Sequence, residues 1–557
     1  MKLFEKIKDW LGGVKCSRKL LFILCVVSLS LPNLFLFFTE QASLIVRLCN
    51  VVLPVSVYWL AMTLSRKPGK AYLWMFVLVF FAAFQIVLLY LFGNSVIAVD
   101  MFLNLVTTNP TEVGELLSNI LLAVAFVVVV YLPLLFLSIC TLFQEPLPDE
   151  FRIRQRRYAK YGCGAGLVLL IGSYVLDKNF ELENDIYPAN VLYNVGLAVE
   201  REIKLSKYFD TSQDFAFNAE TVRDAAQKEV YVLVIGETAR ANNFGIYGYN
   251  RNTTPLLGSM NDLVVFKEAM TQSNTTHKSV PMIMSAVSAY NFDDIYRQKS
   301  IITAFNEVGY STAFFSNQRR NHSFIDFFGE EAYVYKFVKE DLPGNGNVSD
   351  DALLDLVKEF MASTDNKKNF IVLHTYGSHF EYSERYPADK AYFKPDRTIS
   401  AVAENRETLI NAYDNSIRAT DEFLYKLIKE IEAQGAASAV MYVSDHGEDI
   451  YDDERKLFLH ASPIPSHYQL HVPFMIWTSE EYDKLFPQKR KNLLHNTEEE
   501  VATNLAVFHT LLDLAGITTF YKKDYYALSS EDFEPCDEPI YLNDHNRPVP
   551  VADIMSK

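Results

Sequence analysis

Four short stretches of the chain carry residue types that bind metal ions or attack phosphorus. They lie at or near the ends of strand-like apolar runs and cover residues 232–237, 274–281, 374–379 and 444–448. Glu237, Asp445 and His446 supply two carboxylates and an imidazole, a ligand set that suits Zn²⁺ and also Mn²⁺. The stretches therefore predict one divalent-metal centre beside a nucleophile.

The candidate nucleophile is a threonine hydroxyl, which is unreactive near neutral pH and is activated by a bound metal ion. Thr275 and Thr276 both precede Ser279-Val280-Pro281, a pattern that predicts a helix start. The free N–H groups of a helix start attract phosphoryl oxygens. The spacing does not separate the two threonines, and both also suit helix capping. The pattern favours transfer of a phosphoryl-containing group.

Further candidates surround this set. His379 and His460 each suit three roles: orienting the transferred group, giving a proton to the leaving alcohol, or binding a second metal ion. Loop histidines with only a structural role are the alternative. Arg319, Arg320 and His322 follow a predicted strand and form either a phosphate site or a solvated basic turn.

A mostly parallel sheet is expected to position these residues. Helical patterns alternate with apolar, β-rich runs at residues 230–235, 312–315, 370–373, 439–443 and 472–477. Nearly continuous apolar strands indicate a sheet covered by helices on both faces, an α/β/α sandwich. Such sheets bind ligands beyond the carboxyl ends of their strands. Glu237, His374 and Asp445 follow three of these runs, so they should meet at one edge.

Five apolar runs precede this part of the 557-residue chain, and each is long enough to span a membrane. They lie near residues 20–38, 44–64, 71–92, 120–143 and 158–176. Four further runs follow the first one, which favours a retained anchor over a cleaved signal peptide. We expect a five-span α-helical transmembrane domain over residues 1–176.

The charges predict the orientation and exclude one class of partner. Lys and Arg cluster before the first run, between the second and third, and between the fourth and fifth, which places the N-terminus in the cytoplasm. Residues 1–176 carry 15 Lys and Arg against 9 Asp and Glu, and the remainder carries 37 against 59. The soluble part is therefore acidic and periplasmic, and nucleic acid is not an expected partner.

Two segments adjoin the membrane. Residues 177–228 are predicted to bridge to a periplasmic catalytic α/β domain over 229–557, with an amphipathic part at 195–209. The polar segment 94–118 holds Asn104, Thr108 and Glu112, spaced by four so that they share a helix stripe. That stripe is either a solvated loop or a lipid-headgroup site. Only one of the six cysteines, Cys536, lies beyond residue 176, so no disulfide is expected in the catalytic domain.

At these residues the chain resembles the membrane-bound phosphoethanolamine transferases that modify lipopolysaccharide, within the alkaline phosphatase/sulfatase superfamily. The motifs are VIGETAR at 234–240, YGY at 247–249, Thr276 ahead of SVP at 279–281, NAYDN at 411–415 and YVSDHGE at 442–448. The resemblance covers essentially the whole chain. Because Asn274 and Met282 stand where relatives have a disulfide near the nucleophile, it is nearer to the cysteine-poor branch.

The resemblance implies the roles of individual residues. It implies one Zn²⁺ held by Glu237, Thr276, Asp445 and His446, with Thr276 as the nucleophile, and leaves a second ion open. It also implies substrate contacts from His379, His460, Asn104, Thr108 and Glu112.

The expected function is transfer of phosphoethanolamine from phosphatidylethanolamine to lipid A or a core sugar, through a phosphothreonine intermediate. We expect a membrane-embedded monomer in the inner membrane. The alternatives are a phosphoglycerol transferase acting on a surface glycan and a non-catalytic membrane sensor. A sulfatase is disfavoured because residues 279–283 lack the arginine that its modified nucleophile requires.

Overall fold

The computed structural model describes residues 10–14, 16–40, 42–92, 98–99, 110–178, 180–342, 347–398 and 400–555. The chain divides into two compact units, one formed mainly by residues up to Val199 and the other mainly by Glu200 and the residues after it. The predicted boundaries at residues 176 and 228 stay a prediction.

The first unit is helical and apolar. Among its described residues, four helices are long and apolar enough to cross a membrane: Arg18–Thr39, Leu44–Met62, Leu121–Thr141 within the longer helix Pro110–Thr141, and Asp149–Leu176. The predicted span 71–92 is a pair of helices, Pro68–Trp74 and Phe76–Tyr90, bent by 70°. The break falls at Met75, which has φ −92° and ψ 19° and so leaves the helical conformation. The described part of the chain thus contains five candidate spans if the bent pair forms one, and the protein is a multi-pass membrane protein.

Close packing and internal hydrogen bonds hold this unit together. A Cβ atom at Gly166 would lie 2.7 Å from Cα of Leu53, so glycine lets two of the long helices approach closely. Asn33 Nδ2 donates hydrogen bonds to the carbonyl oxygens of Asn50, at 2.7 Å, and Tyr187, at 2.9 Å. Polar groups that lipid would leave unsatisfied are thus paired inside the unit. The helices Leu182–Asp185 and Ala189–Ser206 follow the last span.

The second unit is built on a seven-stranded sheet. Its strands are β2 (Glu229–Gly236), β3 (Leu263–Phe266), β5 (Ser311–Ser316), β6 (Val334–Phe337), β7 (Lys368–His374), β8 (Ala437–Ser444) and β11 (Phe474–Thr478). Their order in the sheet is β3-β11-β8-β2-β7-β5-β6. Every adjacent pair is parallel except those made by β11, which is antiparallel to β8 and β3. The short strands are β1 (Glu220–Thr221), β4 (Glu268–Met270), β9 (Asp449–Ile450), β10 (Phe458–Leu459), β12 (Glu500–Ala502), β13 (Ile517–Thr518), β14 (Ile540–Leu542) and β15 (Pro548–Pro550).

Helices cover both faces of this sheet. All eight residues of β2 are buried, and its side chains alternate between two hydrophobic cores. Tyr231 and Leu233 belong to one core, and Val230 and Val232 belong to the other. The α-helices described after Ser206 are Tyr208–Ser212, Thr276–Ile283, Ile301–Glu307, Phe324–Gly329, Asp351–Ser363, Arg406–Glu432, His467–Leu470, Glu480–Leu485, Pro487–His495, Thr503–Leu514 and Val551–Met555. The α/β/α sandwich expected from the apolar runs is confirmed.

Candidate active site at the carboxyl edge of the sheet

The strand register brings the predicted ligands to one edge. In the parallel sheet, Gly236 at the end of β2 pairs with Ser444 at the end of β8, and Ile235 pairs with His374 at the end of β7. Glu237 and Asp445 are the next residues on neighbouring strands. They therefore emerge side by side. Asp445 even accepts a hydrogen bond from the backbone N–H of Thr238, which is 207 positions away in the sequence.

Glu237, Asp445 and His446 form a buried cluster whose ligand atoms all lie within 4.8 Å of one another. Asp445 Oδ1 accepts hydrogen bonds from the backbone N–H groups of Thr238, at 3.1 Å, and His446, at 2.7 Å. His446 Nδ1 lies 3.0 Å from the carbonyl oxygen of Gly447 and must donate its proton there. The Nε2 lone pair of His446 is therefore directed into the cluster, as in histidines that bind metals.

The cluster fits a divalent cation. His446 Nε2 lies 3.2 Å from Asp445 Oδ2, and no hydrogen stands between these two lone-pair atoms when the histidine is neutral and the carboxyl is ionised. Asp445 Oδ2 is buried and has no hydrogen-bond partner among the described residues. Burial, followed by the neighbouring Asp445, raises the pKa of Glu237 to about 7, and burial raises the pKa of Asp445 to about 7. A bound cation would favour the ionised form of both carboxyls and so offset the effect of burial.

Thr276 adds a hydroxyl to the cluster. It is the first residue of the helix Thr276–Ile283, and its Oγ1 lies 3.1 Å from Glu237 Oε1 and 3.0 Å from His446 Nε2. The hydroxyl of Thr275 lies instead beside Ser273 Oγ, at 3.2 Å. Of the two threonines that the sequence leaves open, Thr276 is the one whose hydroxyl contacts the ligand residues.

Two predicted histidines line the same site. The ring centres of His446 and His460 are 4.2 Å apart, and those of His460 and His379 are 6.3 Å apart. His379 Nδ1 lies 2.6 Å from the carbonyl oxygen of Phe380 and donates to it, so its Nε2 carries the lone pair. Burial, followed by Arg385, lowers the pKa of His379 to about 3, and burial lowers the pKa of His460. Both are neutral near pH 7.

Gln318 was missed by sequence reasoning. Its Nε2 donates to Glu237 Oε2 at 2.9 Å and to the carbonyl oxygen of Thr375 at 3.1 Å, which fixes the Glu237 carboxylate. Gln318 follows β5 by two residues, at the same sheet edge as the other candidates. That position after the strand was the available signal, but the sequence pattern indicated the adjacent Arg319 and Arg320 instead.

Other candidates lie elsewhere. The Arg320 guanidinium pairs with Glu330 and packs over the rings of Tyr335 and Phe337, so its charge is already balanced. His322 is exposed. Asn104 and Thr108 lie outside the described residues, and so does the side chain of Glu112.

Comparison with known proteins assigns the family. The Sulfatase family matches residues 229–517, which is more than half of the chain and contains the whole cluster. The chain belongs to the sulfatase family. A curated relative is the Kdo(2)-lipid A phosphoethanolamine 7''-transferase of Escherichia coli (strain K12), which is 28% identical over 308 residues. The match covers 54% of this chain, and the chain spans about half, 53%, of that relative's length.

Two solved structures share the fold of this sulfatase-family chain. The integral membrane protein lipooligosaccharide phosphoethanolamine transferase A from Neisseria meningitidis has a TM-score of 0.73 at 23% identity, covering 92% of this chain and 98% of that one. The C-terminal periplasmic domain of EptC from Escherichia coli, in complex with Zn, has a TM-score of 0.54 at 23% identity, covering 60% and 96%. The similarity to the Neisseria meningitidis protein covers the membrane-spanning helices as well as the α/β sheet.

The metal-free protein is expected to lose stability as pH rises through 7. The folded-state pKa values of Glu237 and Asp445, about 7 each, exceed the ordinary carboxyl values of about 4. The folded state therefore binds more protons, and the free energy of unfolding falls as these carboxyls ionise. Thermal unfolding of chelator-treated protein between pH 6 and 8 measures the effect. Histidines that titrate in this range change the stability of an Asp445→Asn variant by the same amount, so this variant is the reference. Relative to it, the free energy of unfolding of the wild type should fall by about 1 kcal/mol. Equal pH slopes for the two proteins would contradict the expectation.

Proposed function

We propose that the protein transfers phosphoethanolamine from phosphatidylethanolamine to lipid A or a core sugar of lipopolysaccharide, through a covalent intermediate on Thr276. The observation that carries the proposal is the Thr276 hydroxyl lying within 3.1 Å of both Glu237 and His446 at the edge of a sulfatase-family sheet. The name of the relative that acts on Kdo(2)-lipid A supports the substrate class.

The ligand set supports zinc as the resident metal ion. Glu237, Asp445, His446 and the Thr276 oxygen offer the oxygen and nitrogen ligands that Zn²⁺ prefers. The zinc-bound EptC domain from Escherichia coli has the same fold. When bound, Zn²⁺ would favour the ionised form of the threonine hydroxyl and offset charge on the phosphoryl oxygens.

The first half-reaction begins at Thr276. Its oxygen attacks phosphorus, the new Oγ1–P bond forms, and the bond between phosphorus and the glycerol oxygen breaks. The proton lost by Thr276 is passed on to the leaving diacylglycerol, and phosphoethanolamine stays esterified to the threonine. The Thr276 hydroxyl lies 3.1 Å from Glu237 Oε1 and 3.0 Å from His446 Nε2, so it is already positioned beside the residues that would hold the metal.

The second half-reaction uses the same atoms in reverse. An acceptor hydroxyl or phosphate attacks phosphorus, the Oγ1–P bond breaks, and a proton returns to Thr276. Because His379 donates through Nδ1 to Phe380, its Nε2 carries a lone pair suited to accept a hydrogen bond from the incoming hydroxyl and so to orient it. His460, next to His446, is suited to hold the transferred group.

We also propose the cellular setting. With five spans, the distribution of Lys and Arg supports a cytoplasmic N-terminus and therefore a periplasmic catalytic domain. Because the catalytic domain and the spans belong to one chain, the domain stays at the membrane surface, where its lipid substrates are concentrated. Contacts from Asn104, Thr108 and Glu112 to the headgroup, and a monomeric state, are parts of the same proposal.

Cells that express the protein are expected to carry a phosphoethanolamine increment on lipid A or core oligosaccharide, together with newly formed diacylglycerol. Mass spectrometry of extracted lipids and glycans measures both products, and Thr276→Ala is the matched control. A phosphoglycerol increment in place of phosphoethanolamine would reassign the donor. The absence of any increment that depends on Thr276 would refute the proposed activity.

A further inference from the structure

A pair of histidines lies outside the active site and has no part in the proposed mechanism. His467 and His471 stand four residues apart at the two ends of a short helical turn, and their ring centres are 4.8 Å apart. A Zn²⁺ ion bonded to two imidazole nitrogens at about 2.0–2.1 Å, with a near-tetrahedral angle, holds the ring centres roughly 5 Å apart. The observed separation therefore suits two histidines that share one metal ion.

The protonation pattern of His471 also suits a ligand. Its Nε2 lies 2.7 Å from the carbonyl oxygen of Lys267, which can only accept, so Nε2 carries the proton. In the neutral ring, Nδ1 then carries a lone pair. This atom is buried and has no hydrogen-bond partner among the described residues. Histidines that bind metals are typically held this way, with the second ring nitrogen donating to a backbone carbonyl.

Glu268 is the candidate for a third ligand on the same face. Met270 pairs with His471 in an antiparallel bridge, and Glu268 shares the face of Met270 because side chains alternate along a strand. Burial and the neighbouring His471 lower the pKa of His467, and the negative charge of Glu268 raises it. Glu268 is exposed, so its side chain has room to change rotamer.

We propose that His467, His471 and Glu268 bind a divalent transition-metal ion at a site separate from Glu237, Asp445 and His446. Two imidazoles and one carboxylate suit Zn²⁺, and the same set also binds Cu²⁺ and Ni²⁺. With three protein ligands, the fourth position of a tetrahedral ion is left to water. The bound ion joins the turn at residues 467–471 to strand β4.

The site would reinforce the backbone that carries the catalytic residues. The carbonyl oxygen of Gln469 accepts a hydrogen bond from Gly447 N–H at 2.8 Å, and that of His471 accepts one from Ala241 N–H at 3.0 Å. A Cβ atom at Gly447 would lie 2.1 Å from the carbonyl oxygen of Tyr468, so the two segments are in close contact. A metal ion that fixes this turn stabilises the active-site edge without touching substrate.

Metal binding to the purified, detergent-solubilised full-length protein tests the proposal. Chelator-treated wild type and variants are titrated with Zn²⁺ alone, and bound metal is counted by elemental analysis. We expect His467→Ala to bind one equivalent fewer than the wild type, and Glu268→Gln to bind that equivalent at least about tenfold more weakly. The matched control is His495→Ala, which removes an exposed histidine at a helix end and should bind as the wild type does.

A second measurement identifies the ligands. In an Asp445→Asn background, which weakens the catalytic cluster, one equivalent of Cu²⁺ alone should give an electron paramagnetic resonance signal whose nitrogen coupling His467→Ala alters. Without metal, His467→Ala in this background should have the same melting temperature as Asp445→Asn alone. Added Zn²⁺ should raise the melting temperature of the double variant less than that of Asp445→Asn. Equal metal equivalents in the wild type and His467→Ala, or an unchanged Cu²⁺ spectrum, would overturn the proposal.

Discussion

Thr276→Ala is expected to abolish phosphoethanolamine transfer, with kcat/KM falling on the order of 10⁴-fold or more. Alanine removes the only hydroxyl that the described structure places against both Glu237 and His446. Because the substitution is small and Thr276 is only half-buried, the fold should be retained. Product formation from a labelled phosphatidylethanolamine donor measures the loss.

Two neighbouring variants make this result specific. Thr275→Ala should retain activity within about tenfold, because the Thr275 hydroxyl contacts Ser273 and not the cluster. Thr276→Ser keeps a hydroxyl and should restore part of the activity. With donor alone, mass spectrometry of the intact wild type should show a phosphoethanolamine adduct on the peptide that contains Thr276. Full activity of Thr276→Ala, or an adduct on Thr275, would contradict the proposed mechanism.

Asp445→Asn is expected to have opposite effects on activity and on metal-free stability. It removes one of the three clustered ligands, so metal affinity should fall and transfer should drop on the order of 10³-fold or more. The same change removes a buried charge that lies 3.2 Å from His446 Nε2 and is not balanced by a cation when the metal is absent. The chelator-treated variant should therefore be more stable than the chelator-treated wild type at pH 8, by about 2 kcal/mol.

The comparison requires both metal states. With Zn²⁺ added, the order of stability should reverse, because only the wild type gains the free energy of metal binding. Asp453→Asn, a change at an exposed aspartate that pairs with Arg455, serves as the control and should change neither activity nor stability. A chelator-treated Asp445→Asn protein less stable than the wild type would contradict the expectation that the buried Asp445 charge is destabilising without the metal.

Much of the catalytic fold could be predicted because its strands are buried on both faces. Such strands appear as unbroken apolar runs, and a parallel sheet brings the residues after each run to a common edge. This reasoning predicted the neighbourhood of Glu237, His374 and Asp445. It could not choose between Thr275 and Thr276, because adjacent residues differ only in side-chain direction, which depends on where the helix begins.

Other features depend on contacts that a sequence pattern does not encode. The partner of Gln318 is the carboxylate of Glu237, 81 positions away, and no local signal joins the two. The pairing of Arg320 with Glu330 depends on how the chain turns after β5. The bend at Met75 interrupts an apolar run whose composition alone indicates one straight span.

The order of the site residues along the chain has a consequence for biosynthesis. Glu237 and Thr276 are made early, whereas Asp445, His446 and His460 follow after most of the sheet has been translated. Because β2 pairs with both β7 and β8, its central place in the sheet cannot be filled until both later strands have emerged. A partly synthesised chain thus holds the proposed nucleophile and Glu237 without the other two proposed metal ligands, Asp445 and His446. Under the proposed mechanism, the growing protein therefore gains transfer activity only when its second unit is nearly complete.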